Sequence, residues 1–282
     1  MNINRKKKIS DLIITLILLA AIAVFLLFWI QKQNNFHKSL FQVVDCYDTQ
    51  NYTIEQLDDI YAQDDFLENL KHFNQDLHHN NEFQYVEVGT QALEFIGHWD
   101  KPASLANGYG HKDLRNQKAE QDGKEVEITP VNSFQIARQS QKPFFGRDLF
   151  PDQAFVQNGN TVSLFLGNGF QNYYKIGDQI SFIYLYQTWI GTVTGFLDQQ
   201  EKIELDDFYI FDLDTFVIMP YFEQLLPDKV LFDNERFQIS YYIQKNYGYL
   251  KLKDKKEFRK GKKYIEQLAS KYHLDYTLLK GY

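Results

Sequence analysis

The chain has 282 residues, of which 44% are hydrophobic and 24% are charged, and this composition is typical of a folded protein rather than a disordered one. The net charge is −7, but residues 1–11 carry +3 and residues 251–282 carry +6, so the remainder of the chain carries −16. This acidic body excludes nucleic acid as the main partner, because binding phosphates requires a basic surface.

The first predicted element is a transmembrane helix at Leu12–Ile30, where Thr15 is the sole polar residue. Nineteen residues of α-helix span about 28 Å, close to the roughly 30 Å hydrocarbon core of a bilayer. The basic residues 5–8 favour the inner side of the membrane. We therefore expect a cytoplasmic N-terminus at 1–11, a single-pass anchor in the cell membrane, and an extracellular location for the rest of the chain.

The alternative for this segment is a cleaved signal peptide, because Ala21-Ile22-Ala23 resembles a small-x-small cleavage site. Cleavage there would leave the apolar stretch Val24–Ile30 at the start of the mature protein, so we favour the uncleaved anchor. Cys46 is the only cysteine, and it can form no intramolecular disulfide. An exported domain without disulfides is typical of Gram-positive bacteria, and we interpret Cys46 as a small buried residue.

The next elements form a strand–helix–strand unit. Leu40–Val44 reads as a short apolar strand, and Thr53 with Gln56 forms a capping box that opens a helix. Apolar residues then recur at helical spacing, so we predict a helical segment over 54–79 with a break near Asp64–Asp65. Glu82–Val88 alternates between apolar and polar residues and is predicted to be a strand.

The end of the chain repeats this order, with a predicted strand at Arg236–Ile243, a helix over 254–272 and a strand at Leu274–Leu279. Two such units at opposite ends of the chain predict one ferredoxin-like or split βαβ sheet built from both ends.

The middle of the chain is predicted to be an inserted, mostly β domain. Lys101–Gly123 is polar and glycine-containing and reads as a surface loop. Short β-rich runs separated by turns follow this loop. These runs are Glu125–Ile128, Ser133–Ala137, Thr161–Leu166, Gln179–Tyr186, Thr188–Leu197 and Phe216–Met219.

The sequence assigns no catalytic, cofactor-binding or metal-ligating residue. The histidines lack the neighbouring carboxylates or cysteines of a metal site, and these histidines are His72, His78, His79, His98 and His111. Gly167-Asn168-Gly169 lacks the remaining residues of a dinucleotide or P-loop motif and is interpreted as a tight strand-to-helix turn. Carboxylate pairs such as Asp64-Asp65 remain candidates for glycosidase-type acids, but nothing selects two of them. We therefore predict that the protein is not an enzyme and that it needs no cofactor.

A basic segment precedes the C-terminus, with Lys251, Lys253, Lys255, Lys256, Arg259, Lys260, Lys262 and Lys263. If the C-terminal part returns to the membrane, these residues could face anionic lipid or a wall polymer. The simpler interpretation is a solvated helix face.

A series of short motifs occurs in the predicted β-rich part of the chain. A Phe-Phe-Gly-Arg element with a following Leu-Phe, a strand that runs into a turn, a segment that ends in Gly-Asp, and a strand that ends in Val-Thr-Gly-Phe-Leu follow one another in that order. These motifs lie at Phe144–Arg147, Leu149–Phe150, Val162–Gly167, Tyr173–Asp178 and Gly191–Leu197. Together they resemble the extracytoplasmic core of MacB/FtsX-like ABC-transporter permeases, and the resemblance covers about residues 36–282.

The resemblance implies an α+β architecture in which a porter-like α/β subdomain, made by residues 36–100 and 226–282, carries an inserted β-rich, Sabre-like subdomain at 101–225. It also implies a helix that ends at Gly177-Asp178. Such permeases usually continue into three further transmembrane helices, whereas the sequence up to Tyr282 contains no second apolar run. We therefore expect a fragment, one half of a split gene, or a single-pass relative that needs a partner.

The resulting hypothesis is the ectodomain-bearing part of a permease that transmits ATP-driven motion across the membrane, to export or displace a peptide or lipid-like substrate or to signal. The chain has no Walker motif, so the resemblance implies an ABC-type ATPase subunit and a further permease chain as partners, in addition to the membrane. Homo-oligomerisation is also compatible with the sequence. The alternative is a single-pass, membrane-anchored extracellular binding or scaffold protein.

Overall fold

The structure is a computed structural model that describes residues 40–47, 51, 53–106, 113–121, 123–185, 187–205, 210–223 and 234–279. The predicted transmembrane helix at 12–30 and the basic residues before it lie outside this part of the chain. No helix among the described residues is long and apolar enough to cross a membrane.

The described residues form a mixed α+β fold, which confirms the predicted fold class at this level. The helices are α1 Ile54–Tyr61, α2 Phe66–His79, α3 Gln141–Phe145, α4 Asn234–Lys245 and α5 Lys255–Lys271. The strands are β1 Leu40–Asp45, β2 Gln84–Val86, β3 Val88–Thr90, β4 Leu93–Ile96, β5 Gln117–Gln121, β6 Lys124–Val131, β7 Ser133–Ile136, β8 Thr161–Leu166, β9 Gln179–Tyr184, β10 Gln187–Phe196, β11 Lys202–Glu204, β12 Ile210–Asp212, β13 Val217–Pro220, β14 Tyr249–Lys251 and β15 Tyr276–Leu278.

Four strands from both ends of the described chain form one antiparallel sheet in the order β15-β1-β14-β2. If the residues between β2 and α4 are left out, β1, β2, β14 and β15 are strands 1 to 4 of the layer. Their order in the sheet is then 4-1-3-2, which is the order of a ferredoxin-like sheet. The apolar faces of α2 and α5 contribute to the same core as β1, where Phe41 packs on Phe258 with ring centroids 4.9 Å apart. The prediction of one sheet assembled from both chain ends is confirmed, and we call this sheet with its helices the chain-end layer.

The start of the first helical segment follows its capping chemistry. The Thr53 backbone N–H donates to Gln56 Oε1 at 2.8 Å, and the Gln56 N–H donates to Thr53 Oγ1 at 3.2 Å. These reciprocal bonds satisfy two donors that a helix N-terminus would otherwise leave unpaired. α1 ends at Tyr61 and α2 begins at Phe66, so the predicted break near Asp64–Asp65 is also confirmed.

The prediction of a strand at Arg236–Ile243 is wrong, because these residues lie in helix α4. They are rich in β-forming residues, but Phe237, Tyr241 and Lys245 are buried at a spacing of four, which places them on one helix face. Packing of this face against α2 and the end of the larger sheet overrides the β propensity. The adjacent strand of the chain-end layer is β14, which follows α4 directly.

The larger sheet has nine strands in the order β3-β7-β13-β8-β10-β9-β4-β6-β5, with β8 parallel to β10 and β7 parallel to β13. The β-rich runs predicted for the middle of the chain all correspond to strands of this sheet. Part of the predicted loop at 101–123 is instead β5, an edge strand paired with β6. Its residues, Gln-Lys-Ala-Glu-Gln, carry no apolar alternation, so periodicity gives no signal there.

The predicted strand at Glu82–Val88 divides into two strands at Glu87. β2 pairs with β14 in the chain-end layer, whereas β3 pairs with β7 in the larger sheet. β3 and β4, which the predicted division counted with the residues 36–100, therefore belong to the larger sheet. Glu87 marks the point where the chain passes from one sheet to the other.

Gly167 forms the predicted tight turn between β8 and a single-turn 3-10 helix at Asn168–Phe170. A Cβ atom at this position would lie 2.1 Å from the backbone oxygen of Leu213, so only glycine allows the two segments to approach this closely. Gly177 has a φ of +95°, as a helix-terminating glycine does. The residues before it form turns, however, and the helix implied by the resemblance is not formed there.

We predict that Gly167→Ala destabilises the protein by roughly 1–3 kcal/mol, because the added methyl group overlaps a backbone oxygen that cannot rotate away. The measurement is the free energy of unfolding of the detergent-solubilised chain by chemical denaturation. Ser163→Ala on the neighbouring strand is the control, since it adds no atom and should change the stability by less than about 0.5 kcal/mol. Equal stabilities of the two variants would contradict the close approach.

Candidate functional site

The feature with the most unusual chemistry is a buried ionic cluster around Glu87, between the chain-end layer and the larger sheet. The Glu87 side chain is 1% exposed, and that of Lys245 is 5% exposed. A charged pair at this depth needs partners for both groups, since desolvation of each ion costs several kcal/mol. We call this group, with Asn74 and His78 on α2, the Glu87 cluster.

Each oxygen of Glu87 faces a partner on a helix of the chain-end layer. Oε1 lies 3.5 Å from Lys245 Nζ at the end of α4. Oε2 lies 2.5 Å from His78 Nε2 and accepts a hydrogen bond of 3.1 Å from Asn74 Nδ2, both on α2. The carboxylate therefore joins α2 and α4 to the segment that links the two sheets.

The 3-10 turn Arg138–Ser140, which follows β7 of the larger sheet, contributes to the cluster through Gln139, whose Nε2 atom lies 2.7 Å from His78 Nδ1. In this arrangement Gln139 donates to Nδ1, so the proton of a neutral imidazole resides on Nε2 and is donated to Glu87. The Glu87 backbone oxygen also accepts a hydrogen bond of 3.2 Å from the Ala137 N–H. Both contacts tie the segment at 137–139 to the cluster.

The charges of the cluster favour the carboxylate form of Glu87. Burial by itself raises the pKa of Glu87, but the charge of Lys245, the charge that His78 carries when it is protonated, and the hydrogen bonds from His78 and Asn74 oppose it and hold the pKa below its usual range. Glu87 is therefore an anion at neutral pH, and its charge is balanced by Lys245. Each of these side chains is engaged by a neighbour in the cluster, and we assign the cluster a structural role between the sheets.

Other contacts reinforce the same junction. The Tyr241 hydroxyl on α4 donates to the Phe222 backbone oxygen at 3.1 Å and accepts from the Phe222 N–H at 2.6 Å. Trp189 of the larger sheet stacks on Phe222 with ring centroids 5.6 Å apart. Burial raises the pKa of Tyr241 well above its usual value, which keeps the hydroxyl protonated and able to donate. α4 is therefore fixed to the larger sheet by polar and aromatic contacts.

A cavity of about 490 Å³ lies beside these contacts, between α4 and the strands β4 and β9. Gln244 Nε2 bonds Gln91 Oε1 at 3.1 Å across it, and Glu94 adds a carboxylate to the wall. The other lining residues are Ala92, Ile183, Leu185, Ser240, Ile243 and Tyr247. This mixture of apolar and uncharged polar groups with one carboxylate has the volume of a small-ligand site.

The histidines considered as metal ligands from the sequence lie in different parts of the structure. His78 belongs to the Glu87 cluster, and His72 stacks on Tyr272 with ring centroids 5.9 Å apart. His79 contacts the Gln75 backbone oxygen, and His98 contacts Glu127 at 2.8 Å. His111 lies outside the described residues. Within the described ranges no three His, Cys, Asp or Glu residues are placed to hold a metal ion.

The remaining candidates gain no partner that suggests catalysis. Asp64 and Asp65 are exposed in the turn between α1 and α2. Cys46 is half-buried rather than fully buried, so its predicted burial is only partly met. That the protein is not an enzyme and requires no cofactor stays a prediction. Sequence reasoning missed Glu87 and Lys245, although a carboxylate inside the buried run Tyr85–Val88 is a signal that could have drawn attention to it.

The edge of the chain-end layer opposite the Glu87 cluster is where the chain enters and leaves. Leu40, the first residue of β1, pairs with Lys251, the last residue of β14. Leu279 follows β15, and its N–H donates to the Gln42 backbone oxygen at 2.9 Å, so β15 runs out beside the start of β1. β2 instead runs away from this edge and leads to Glu87. We call the edge formed by Leu40, Lys251 and Leu279 the entry edge.

We predict that Glu87→Gln destabilises the protein by about 3–5 kcal/mol, because it leaves the Lys245 ammonium buried without a counter-charge. Lys245→Met should cost a similar amount. The loss of unfolding free energy in the double variant should be smaller than the sum of the losses in the two single variants by about 0.5–3 kcal/mol. The measurement is chemical denaturation of all four proteins in a double-mutant cycle. The matched control is the exposed pair Lys118–Glu125, where Lys118→Met and Glu125→Gln should each change stability by less than about 1 kcal/mol.

The Glu87 cluster should also make stability depend on pH. Because the pKa of Glu87 is lower in the folded chain than in the unfolded chain, its stabilisation is present above the unfolded value of about 4.3 and is lost as pH falls through the folded value. The difference in unfolding free energy between the wild type and Glu87→Gln should therefore narrow as pH falls below about 4. A difference that stays constant from pH 7 to pH 3 would show that the carboxylate charge contributes nothing.

Comparison with protein families, with curated proteins and with solved structures finds no match to this chain. The resemblance to MacB/FtsX-like permeases therefore depends on the sequence motifs. The structural features that bear on function are the chain-end layer, the Glu87 cluster and the entry edge.

Proposed function

We propose that the chain is the ectodomain-bearing part of an ABC-transporter permease of the MacB/FtsX-like type. In this role it relays ATP-driven motion across the membrane to export or displace a peptide or lipid-like substrate, or to pass a signal. The observation that carries the proposal is the entry edge, where the first and last strands of the described chain lie side by side.

An ectodomain that moves with the membrane segments on both of its sides needs its two ends close together. Neighbouring antiparallel strands are about 4.8 Å apart, so the chain at Leu40 and the chain beyond Leu279 start from almost the same place. Movement of the predicted helix at 12–30 would then reach the chain-end layer through β1, and β15 beside it would receive movement from a membrane segment beyond Leu279 or from the further permease chain. A domain anchored at one end has no such requirement.

The Glu87 cluster supports the second step of the relay. It lies at the other end of the chain-end layer, where β2 continues into the larger sheet. The contacts from Glu87 to Lys245 and His78, and from Tyr241 to Phe222, fix the helices of this layer to the larger sheet. Displacement at the entry edge would thus be passed to the larger sheet by packed and hydrogen-bonded elements rather than by a flexible linker.

The proposal assigns ATP hydrolysis to a separate ABC-type subunit and the rest of the transmembrane pathway to a further permease chain. The predicted helix at 12–30 would be the element that couples this chain to both. No residue of the described chain is given a chemical step, and the substrate would contact the surface of the larger sheet or its junction with the chain-end layer.

The second candidate function is a membrane-anchored extracellular binding protein. The cavity of about 490 Å³ between α4 and β4 favours this alternative, because its mixed lining suits a small polar ligand. In that case the domain would recognise its ligand without partners in the membrane. The two candidates differ in whether an ATPase accompanies the chain.

We predict that the tagged full chain, purified from its native membranes in mild detergent, brings with it a P-loop ATPase and a multi-span membrane protein that mass spectrometry identifies. A matched control is the same chain with residues 12–30 replaced by an unrelated transmembrane sequence, which keeps the anchor and should lose the partners. Recovery of the chain alone, or with wall components only, would contradict the permease and leave the anchored binding protein.

A further inference from the structure

The first half of α5 and the end of β14 form a strongly basic surface at the entry edge. Residues 251–263 contain eight basic and two acidic residues, a net charge of +6, whereas residues 264–279 carry a net charge of −1. All eight basic side chains are exposed. The positive charge is therefore confined to one end of the helix, although the chain as a whole is acidic.

The two acidic residues within this segment do not neutralise it. Asp254 caps α5, accepting hydrogen bonds from the Lys256 N–H at 2.7 Å and the Glu257 N–H at 2.8 Å. Glu257 accepts from the Lys253 backbone N–H at 2.7 Å. Both carboxylates thus accept hydrogen bonds from backbone N–H groups at the helix N-terminus. Their negative charges also interact favourably with the positive end of the helix dipole.

Of the eight cations only Lys262 has a carboxylate within 4 Å among the described residues, namely Glu266 at 3.7 Å. The other seven have no acidic partner in that part of the chain. We call them the basic surface: Lys251, Lys253, Lys255, Lys256, Arg259, Lys260 and Lys263.

Packing determines the direction in which the basic surface faces. Phe258 lies against Phe41 near the start of β1, and Gly261 and Ile265 are buried on the same side of α5. Lys256, Lys260 and Lys263 occupy the opposite side of the helix. The hydrogen bonds of α5 with α2 come from its second half, where the Tyr264 hydroxyl bonds the Asp76 backbone oxygen at 3.2 Å and Lys271 Nζ bonds the Asp76 carboxylate at 2.8 Å.

The length of the chain between this edge and the predicted transmembrane helix limits their separation. Residues 31–39 can span at most about 30 Å when fully extended, and a flexible chain of this length spans roughly 15–18 Å. Lys251 pairs directly with Leu40, so the basic surface begins where this short connection ends. No other basic cluster of this size is found in the described residues.

From this geometry we infer that the basic surface binds the anionic phospholipid headgroups of the membrane in which the chain is anchored. This inference depends on the membrane anchor of the proposed function but not on the transporter. The negative potential of an anionic membrane surface attracts each Lys or Arg, so seven unpaired cations would hold the entry edge to the bilayer. Leu279, which is 47% exposed at the same edge, would add an apolar contact.

Lipid binding would orient the whole domain. With the entry edge against the bilayer, the strands of the chain-end layer point away from the membrane and the Glu87 cluster lies at the outer end of the layer. The larger sheet is then held outside, beyond the chain-end layer. A wall polymer could also satisfy the charges, but it would not explain why they are gathered at the end of the layer nearest the anchor.

The test is amine labelling of the full chain in lipid nanodiscs, followed residue by residue with mass spectrometry. In discs that contain phosphatidylglycerol at low salt, Lys255, Lys256, Lys260 and Lys263 should be labelled roughly fivefold more slowly than in phosphatidylcholine discs, the factor that corresponds to about 1 kcal/mol. Raising the salt to 1 M shortens the Debye length to about 3 Å and should abolish the difference. The internal controls are Lys118 and Lys124 of the larger sheet and Lys202 of the separate two-stranded sheet β11-β12, exposed lysines whose labelling should not change.

A pair of charge-matched variants sharpens the test. In K256Q/K260Q/K263Q the protection of Lys255 by phosphatidylglycerol should be lost, whereas K118Q/K124Q/K202Q, with the same change in net charge, should keep it. These exposed positions leave the core intact, and equal unfolding midpoints would confirm that.

Equal labelling of these lysines in both lipids, or a chain that does not associate with the discs, would overturn the inference. Protection by soluble polyglycerol phosphate but not by phosphatidylglycerol would also overturn it, and would assign the surface to wall polymer. Protection by lipid in a chain that recovers no ATPase would retain the membrane contact and reject the transporter.

Discussion

The arrangement of the molecule depends on the buried interaction of Glu87 with Lys245, because it lies where the chain passes from one sheet to the other. The cost of burying both charges is offset only while α4, α2 and the β2–β3 connection keep their present positions. Small displacements would separate the charges in a medium of low dielectric constant. The junction therefore favours the arrangement of the two sheets that keeps these charges together over a continuous range of angles.

This constraint gives the chain-end layer two ends with different chemistry. The entry edge gathers unpaired cations around Lys251, and the opposite end contains the neutralised pair of Glu87 and Lys245. Strands of three to six residues separate them, a distance of about 10–20 Å. In the proposed relay, a layer this thin, with α2 and α5 packed on its sheet, would transmit displacement with little internal deformation, since protein interiors are close-packed and have low compressibility.

Local patterns in the sequence predicted the elements whose signals are local. The capping box at Thr53, the amphipathic α5 and six strands of the larger sheet, β6 to β10 and β13, follow from neighbouring residues, whereas β4 and β5 were not predicted. The sheet built from both chain ends follows from two repeated units, although β14 and not Arg236–Ile243 supplies its third strand. The prediction failed at α4, where a β-rich segment becomes a helix because Phe237 and Tyr241 pack against distant elements. The Glu87 cluster was missed for the same reason: its members come from separate parts of the chain, and no spacing rule connects them.

Helix α4 brings the two candidate functions together. Lys245 belongs to the Glu87 cluster, Tyr241 binds the backbone of Phe222, and Gln244 forms part of the cavity wall. A ligand in the cavity would therefore contact the helix that holds the two sheets together. If one arrangement of the sheets binds such a ligand more tightly than another, the bound ligand must shift the equilibrium between the two arrangements by the same factor, because coupling between binding and conformation is reciprocal. Both candidate functions, ligand recognition in the cavity and motion at the junction, would therefore act through the same helix.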